Sequence, residues 1–292
     1  MNPSQCTSRP AALTVAGSDS GGGAGIQADL KAFQACGVFG TSALTAVTAQ
    51  NPRGVRAIQS IDPAVLRDQI EAVLEVFTIR AAKCGMLFSS AHIREVAAAF
   101  RERPDLPLVV DPVMVATSGA RLLEPEAVEA LVTELLPLAT ILTPNLAEAG
   151  ILLGGPAPVA ATSGVARQLA EACGCAVLLK GGHAAGNQAQ DVLWEGGRGW
   201  VLRSDMASTA AGAAHGTGCS LSAALAAGLA CGQSMLDAVQ GAKAYVFGAL
   251  QNAVWVGESV RTLWPVPAVA RPQVLVEAVA ESAPSQGLGG RV

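Results

Sequence analysis

The chain has 292 residues, of which 51% are hydrophobic, 14% charged and only 4% aromatic, and its formal net charge is −4. These proportions supply a large core of Ala, Val and Leu, and they exclude the basic face or aromatic stacking surface of a binder of nucleic acid or anionic lipid. No leader-like segment or membrane-length apolar run is evident, and the seven scattered cysteines (Cys6, Cys36, Cys84, Cys173, Cys175, Cys219 and Cys231) have no zinc or redox spacing, so the expectation is a soluble, cytoplasmic protein with free thiols.

The first strand is predicted at Leu13–Ala16. It breaks into five glycines within nine residues (Gly17, Gly21, Gly22, Gly23 and Gly25), and helical spacing resumes at Ile26, Leu30 and Phe33. Glycines let backbone amides approach a ligand closely, and the N-terminus of the following helix favours negative charge. The run matches neither the P-loop nor the G-x-G-x-x-G fingerprint, and a plain surface turn stays open as the other reading.

Further strands are predicted at Val38–Leu44, Arg80–Cys84, Leu108–Val110, Thr140–Leu142 and Ala176–Leu179. They alternate with helices at Pro63–Phe77, Ser89–Arg103, Glu124–Leu136 and Ser163–Ala172. Asp62 and Pro63 are a cap and a first-turn proline. The alternation implies an α/β fold: a central, mostly parallel sheet with helices on both faces. Trp194–Trp200 reads as a hairpin turn between Asp191–Trp194 and Trp200–Arg203, and helices follow at Thr217–Cys231 and Met235–Gln251. No repeat or linker interrupts residues 1–270, which are read as a single domain. Periodicity is lost from about Arg271, so 271–292 is read as a partly disordered extension with Ser282–Val292 as its tail.

In such sheets ligands gather outside the carboxyl ends of the strands. Gly17 and Asp19, Met86, Asp111, Asn145 with Glu148, and Lys180 all fall there. One acidic residue at a strand end is ordinarily a helix cap; the repetition points to a site. His215-Gly-Thr-Gly-Cys219 opens a helix, with Gly216 and Gly218 baring the backbone and Thr217 able to cap, a constellation suited to a phosphoryl group in flight. Lys180 suits a nucleotide's terminal phosphates, and Asp111 and Glu148 suit Mg²⁺, which takes few carboxylates and keeps its waters. Cys219 at the helix start is expected to have a lowered pKa and to accept a proton, with a small packing cysteine as the alternative. Cys36, Cys84 and Cys231 are expected in the core and His92 on a helix surface.

The ordered blocks Gly17-Ser-Asp-Ser-Gly-Gly-Gly-Ala-Gly-Ile-Gln-Ala-Asp29-Leu-Lys31, Thr45-Ala-Val-Thr-Ala-Gln50-Asn51, Lys83-Cys-Gly-Met86, Val110-Asp111-Pro-Val113-Met114, Thr143-Pro-Asn145-Leu-Ala-Glu148, Lys180-Gly-Gly-His183 and His215-Gly-Thr-Gly-Cys219 resemble the hydroxymethylpyrimidine/phosphomethylpyrimidine kinases of thiamin biosynthesis, members of the ribokinase-like superfamily. The likeness spans about residues 11 to 250. It implies an ATP- and Mg²⁺-dependent kinase, as a homodimer, acting on 4-amino-5-hydroxymethyl-2-methylpyrimidine and then on its monophosphate. It implies a pyrimidine pocket of Gly17, Ala24, Asp29, Gln50, Met86 and Val113, with Asp29 and Gln50 reading the aminopyrimidine. Taken from the residues alone, Asp29 is an ordinary solvated helix residue and Met86 and Val113 are ordinary core. It further implies ATP contacts at Asn145, Lys180, Thr217 and Lys243, metal contacts at Asp111 and Glu148, and catalysis by Cys219, Lys180 and the Gly216-Thr217-Gly218 turn. His183 and His215 become loop-shaping residues. The chain departs from the pattern in Thr209–Ala214, which lacks the polar residues expected immediately before His215, and in Val256–Trp264, which lacks a Gly/His-rich ending. Two other readings stand beside this one: a pyridoxal or pyridoxine kinase of the same superfamily, and a non-catalytic pyrimidine sensor.

Overall fold

Apolar runs that are buried on both faces align as the centre of one sheet. A computed structural model of the chain describes residues 9–114, 122–124, 126–183, 188–205, 215–268 and 272–279. The His183 side chain, the Thr209–Ala214 segment and the Ser282–Val292 tail lie outside the described residues.

In chain order the elements are β1 (Ala11–Asp19), α1 (Gly25–Ala35), β2 (Phe39–Asn51), β3 (Gly54–Ser60), α2 (Pro63–Val76), β4 (Ile79–Cys84), α3 (Ser90–Arg101), β5 (Leu108–Val110), α4 (Ala127–Ala130), β6 (Ile141–Leu142), α5 (Leu146–Leu152), α6 (Ser163–Cys173), β7 (Ala176–His183), β8 (Gln188–Glu195), β9 (Arg198–Asp205), α7 (Thr217–Ala230), α8 (Met235–Gln251), β10 (Val254–Val256), β11 (Val260–Thr262) and β12 (Leu275–Val279). Ten strands form one sheet in the order β12-β9-β8-β7-β6-β5-β4-β1-β2-β3. The run from β2 through β1, β4, β5 and β6 to β7 is parallel. Antiparallel strands extend both edges, with β3 beyond β2 and with β8, β9 and β12 beyond β7.

Side-chain alternation divides the core between the two faces. Leu13, Val15, Leu108 and Val110 pack with Leu66 and Ile70 of α2, Ile93 of α3 and Leu169 of α6. Ala12 and Val109 face the other way, onto Phe33 of α1, Leu225 of α7 and Tyr245 of α8. This is the α/β architecture expected from the alternation, with helices on both faces.

Local chemistry accounts for the element ends. Asp62 accepts from the Ala64 amide at 2.8 Å with Pro63 as first helical residue, and Gly196 (φ +55°) and Gly197 (φ +83°) supply the two left-handed positions of the hairpin turn.

Four expectations need correction. The single helix foreseen at Glu124–Leu136 is broken: one α turn widens at Leu131–Leu135 and tightens at Leu136–Leu138 around Pro137, which has no N–H to donate. Strands β3 and β12 were not foreseen, because both are largely solvent-facing edge strands without apolar alternation; β12 lies within the extension and pairs with β9. His92 is buried, not on the surface, with Nδ1 2.7 Å from Ser89 Oγ and Nε2 2.8 Å from the Ile61 carbonyl oxygen. Of the three cysteines assigned to the core only Cys84 is buried; Cys36 is half-buried and Cys231 exposed.

Candidate active site

Two glycine turns interlock at the carboxyl end of the sheet. After β1 the chain folds around the buried Asp19 carboxylate, which accepts from the amides of Gly21 (2.8 Å), Gly23 (3.1 Å) and Ala24 (2.8 Å). His215 Nε2 reaches the same carboxylate at 3.0 Å. Burial works to raise the Asp19 pKa, but the His215 hydrogen bond and the Ala24 and Gly21 amides outweigh it and hold the group below its usual value. Gly216 (φ +84°) has its open side against Gly23, and a Cβ there would collide with the Gly23 carbonyl oxygen. The glycines first read as ligand-facing are thus also what lets the two turns touch.

A cavity of about 710 Å³ opens above these turns. Twelve of the residues picked from the sequence line it: Ala24, Gln50, Asp111, Val113, Asn145, Glu148, Lys180, Gly216, Thr217, Gly218, Cys219 and Lys243. Gly17 and Met86 stand just behind the wall, where a Cβ on Gly17 would lie 2.6 Å from Met86 Cε; Met86 packs with Ala46, Leu122 and Val113. Val113 holds φ +35°, an uncommon conformation for a β-branched residue and a mark of local strain at the wall.

Charge in the cavity is arranged in pairs. Lys180 Nζ donates to Asp111 Oδ1 at 2.9 Å, and Ser222 Oγ donates to Asp111 Oδ2 at 3.2 Å. Burial disfavours the Lys180 charge, but the carboxylates of Asp111 and Glu148 outweigh it and raise its pKa. Glu148 is shifted upward by burial, opposed by Lys180 and reinforced by Asp111. It also closes a capping box: its Oε2 accepts from the Asn145 amide and the Asn145 side chain accepts from the Glu148 amide, both at 2.9 Å. The helix-cap reading and the cavity reading therefore hold for the same residue. Lys243 is buried and donates to Asp191 Oδ2 at 2.6 Å, while Asp191 Oδ1 accepts from the Gly181 amide.

Two sequence expectations fail here. Asp29 does not line the cavity: it is fully buried, and its carboxylate accepts from Lys83 Nζ at 2.8 and 3.0 Å and from Thr14 Oγ1 at 2.6 Å. Ion pairing claims the group expected to read an aminopyrimidine. Cys219, the third residue of α7, does line the cavity, but burial pushes its thiol up to about 11, against the pull of Lys83, instead of lowering it. Desolvation outweighs the Lys83 charge and the Gly25 amide, the groups that favour the thiolate.

Lys83 was not among the residues picked, and neither was Asp191. The signal for Lys83 lay in Ala81-Ala82-Lys83-Cys84, a lysine set among small apolar residues at the end of a strand, which demands a buried partner. Among the described residues no group of three His, Cys, Asp or Glu side chains forms a preassembled metal site, and no helix is long and apolar enough to cross a membrane.

A family described as phosphomethylpyrimidine kinase matches residues 19–264. The hydroxymethylpyrimidine/phosphomethylpyrimidine kinase of Rhizobium meliloti (strain 1021) is 49% identical over 246 residues, covering 83% of this chain and 91% of its own. Among solved structures, a phosphomethylpyrimidine kinase from Clostridium difficile 630 is 40% identical with a TM-score of 0.69, covering 81% of this chain and 97% of its own. The pyridoxal kinase of Staphylococcus aureus, in complex with AMP-PCP and pyridoxal, is 33% identical with a TM-score of 0.79, covering 93% of this chain and 100% of its own.

Proposed function

We infer the reaction from one premise: the chain belongs to the phosphomethylpyrimidine kinase family of ribokinase-like fold. It is a phosphotransferase of thiamin biosynthesis that uses ATP. It moves the terminal phosphoryl group first onto the alcohol of 4-amino-5-hydroxymethyl-2-methylpyrimidine and then onto the resulting monophosphate.

The observation that carries the site assignment is the convergence of the Lys180–Asp111 pair, the Gly216–Gly218 turn and Cys219 on one cavity. Phosphoryl transfer asks for positioning, positive charge and a destination for the acceptor's proton rather than for covalent chemistry by the protein. Lys180 and the first-turn amides of α7, with Thr217, hold the terminal phosphates. Asn145 and Lys243 line the remainder of the nucleotide's side of the cavity. Ala24, Gln50 and Val113, backed by Gly17 and Met86, form the pyrimidine's side. Cys219 stands between, as the group that takes the alcohol proton.

The donor set fits Mg²⁺. Asp111 and Glu148 are two carboxylates on the same cavity, and this ion takes one or two carboxylates, several waters and the substrate's phosphate oxygens. When bound, it would neutralise charge on the phosphates. We further propose a single kinase domain over residues 1–270, a homodimer, and a cytoplasmic location.

Pyridoxal is the second acceptor to weigh, since the pyridoxal kinase named above superposes on nearly the whole chain. The higher identity of the pyrimidine kinases favours the pyrimidine. An ATP-consumption assay across the pyrimidine alcohol, its monophosphate, pyridoxal and ribose decides between them. The highest kcat/KM is expected with the pyrimidine, and a higher value with pyridoxal overturns the acceptor assignment.

A further inference from the structure

One carboxylate on the cavity wall has no part yet in the reaction. Asp191 lies directly opposite Lys180 in the antiparallel ladder of β7 and β8. It is buried, and so is Lys243 of α8, yet both border the cavity. Each oxygen of Asp191 has its own donor: the Gly181 amide at 3.0 Å on Oδ1 and Lys243 Nζ at 2.6 Å on Oδ2. A buried ion pair is ordinarily no more stabilising than an apolar pair of the same volume, so fold stability alone gives no reason for it. Its placement does.

The carboxylate hangs from a fixed stretch of strand. The β7–β8 register shifts between Lys180 and His183, and the strands close in so far at Gly181 that a Cβ there would lie 2.3 Å from the Gln190 carbonyl oxygen. From the other side, the Pro144 carbonyl oxygen accepts from the Lys180 amide at 2.8 Å. Lys180 Nζ is paired with Asp111, although its residue stands opposite Asp191 in the ladder. The cation on Asp191 is Lys243. It comes from a different element, on a long flexible stem whose end stays in one place only if something holds it.

We propose that Asp191, anchored by the Gly181 amide, is a positioning residue that holds the Lys243 ammonium at the nucleotide's side of the cavity and so sets the affinity for ATP. This rests on the reading of Lys243 as a nucleotide contact. An ammonium has donors to spare after one goes to a carboxylate, and one already held in place meets a phosphate oxygen without the entropy cost of ordering its stem. Without Asp191 the buried ammonium loses its partner and turns towards water. A carboxylate on the wall also repels phosphate charge, which works in the opposite direction. Repulsion alone predicts tighter ATP binding when Asp191 is neutralised, whereas positioning predicts weaker binding. The sign of the change separates the two.

The test is binding of AMP-PCP to the full chain by isothermal titration calorimetry, with steady-state kinetics for ATP and the pyrimidine alcohol beside it. Asp191→Asn keeps an oxygen for the Gly181 amide and removes the charge that holds Lys243. Its Kd for AMP-PCP and KM for ATP are expected to rise about tenfold, the scale of one lost hydrogen bond to a charged group. KM for the pyrimidine and kcat at saturating ATP should stay within about twofold. Lys243→Met should raise the Kd by a similar factor and the double variant no further, because one residue acts through the other. A merely structural carboxylate would lower the melting temperature without moving the Kd of the folded protein. An unchanged or lower Kd in Asp191→Asn overturns the proposal, and so does a double variant whose losses add. Should Asp191→Asn not fold, Asp191→Glu keeps the charge, shifts it by one methylene and is read by the same criteria. An unchanged Kd in Lys243→Met sinks the nucleotide reading of Lys243 itself, whereas a loss there without one in Asp191→Asn sinks only the role of Asp191.

Discussion

His215 Nε2 lies 3.0 Å from Asp19 Oδ2, so a carboxylate on the turn after β1 is bound to the residue that leads into the turn before α7. The contact spans 196 residues of sequence and joins two turns that border the cavity. His215→Ala is expected to lower kcat/KM about tenfold, the scale of one lost hydrogen bond to a charged group. Asp19→Ala should cost more, because it also strands the amides of Gly21, Gly23 and Ala24. Steady-state kinetics with circular dichroism as the fold control check the order; equal effects would mean that His215 alone sets the turn.

Lys180 and Asp111 form the charged pair on the cavity wall. On the proposed site assignment, alanine at either position removes preorganised stabilisation of the transferring phosphoryl group, and losses of about 10²–10³ in kcat are expected. The monophosphate and alcohol steps should suffer alike, since both transfer the same group. Near-wild-type turnover in either variant would show that the phosphates bind elsewhere.

The fully buried Asp29–Lys83 pair makes a stability prediction. Asp29→Ala leaves the fully buried Lys83 ammonium without a partner, and breaking a buried pair in this way costs about 3–5 kcal/mol. Urea unfolding should show that loss for the single variant and much less of it for Asp29→Asn/Lys83→Met. A single variant as stable as the parent would mean that Lys83 gives up its proton or finds another acceptor.

Much of this was legible in the sequence because it depends on local spacing. The apolar runs at Leu13–Ala16 and Leu108–Val110 lie within their strands β1 and β5, and polar residues at successive strand ends mark the cavity wall. What was illegible depends on pairing across the fold. Asp29 reads as an ordinary polar helix residue until β4 brings Lys83 to it. His92 looks exposed until α3 turns it towards the Ile61 carbonyl. The Leu275–Val279 strand gives the core little beyond the half-buried Val276, so its pairing with β9 is what reveals it. The Cys219 thiol follows the same rule: a helix start is a local feature of the sequence, whereas the burial that pushes the thiol up is set by the whole fold.

The two acceptors isolate Cys219 within one enzyme. The alcohol must lose a proton as its oxygen bonds to phosphorus, and a general base contributes typically about 10²–10⁴-fold to such a step. The monophosphate has a second pKa of about 6 and enters ionised. Cys219→Ala should therefore slow the alcohol step far more than the monophosphate step. The pH dependence carries the same sign. A base works in its deprotonated form, and with the thiol pushed up to about 11 the thiolate fraction grows about tenfold per unit as pH rises towards that value. The alcohol-step kcat of the native enzyme should climb from pH 7 to pH 10, the monophosphate step should stay nearly level, and Cys219→Ala should flatten the climb. Single-turnover rates with each acceptor across that range measure all three. Parallel pH profiles, or equal losses in the two steps, would reduce Cys219 to a residue that packs the start of α7.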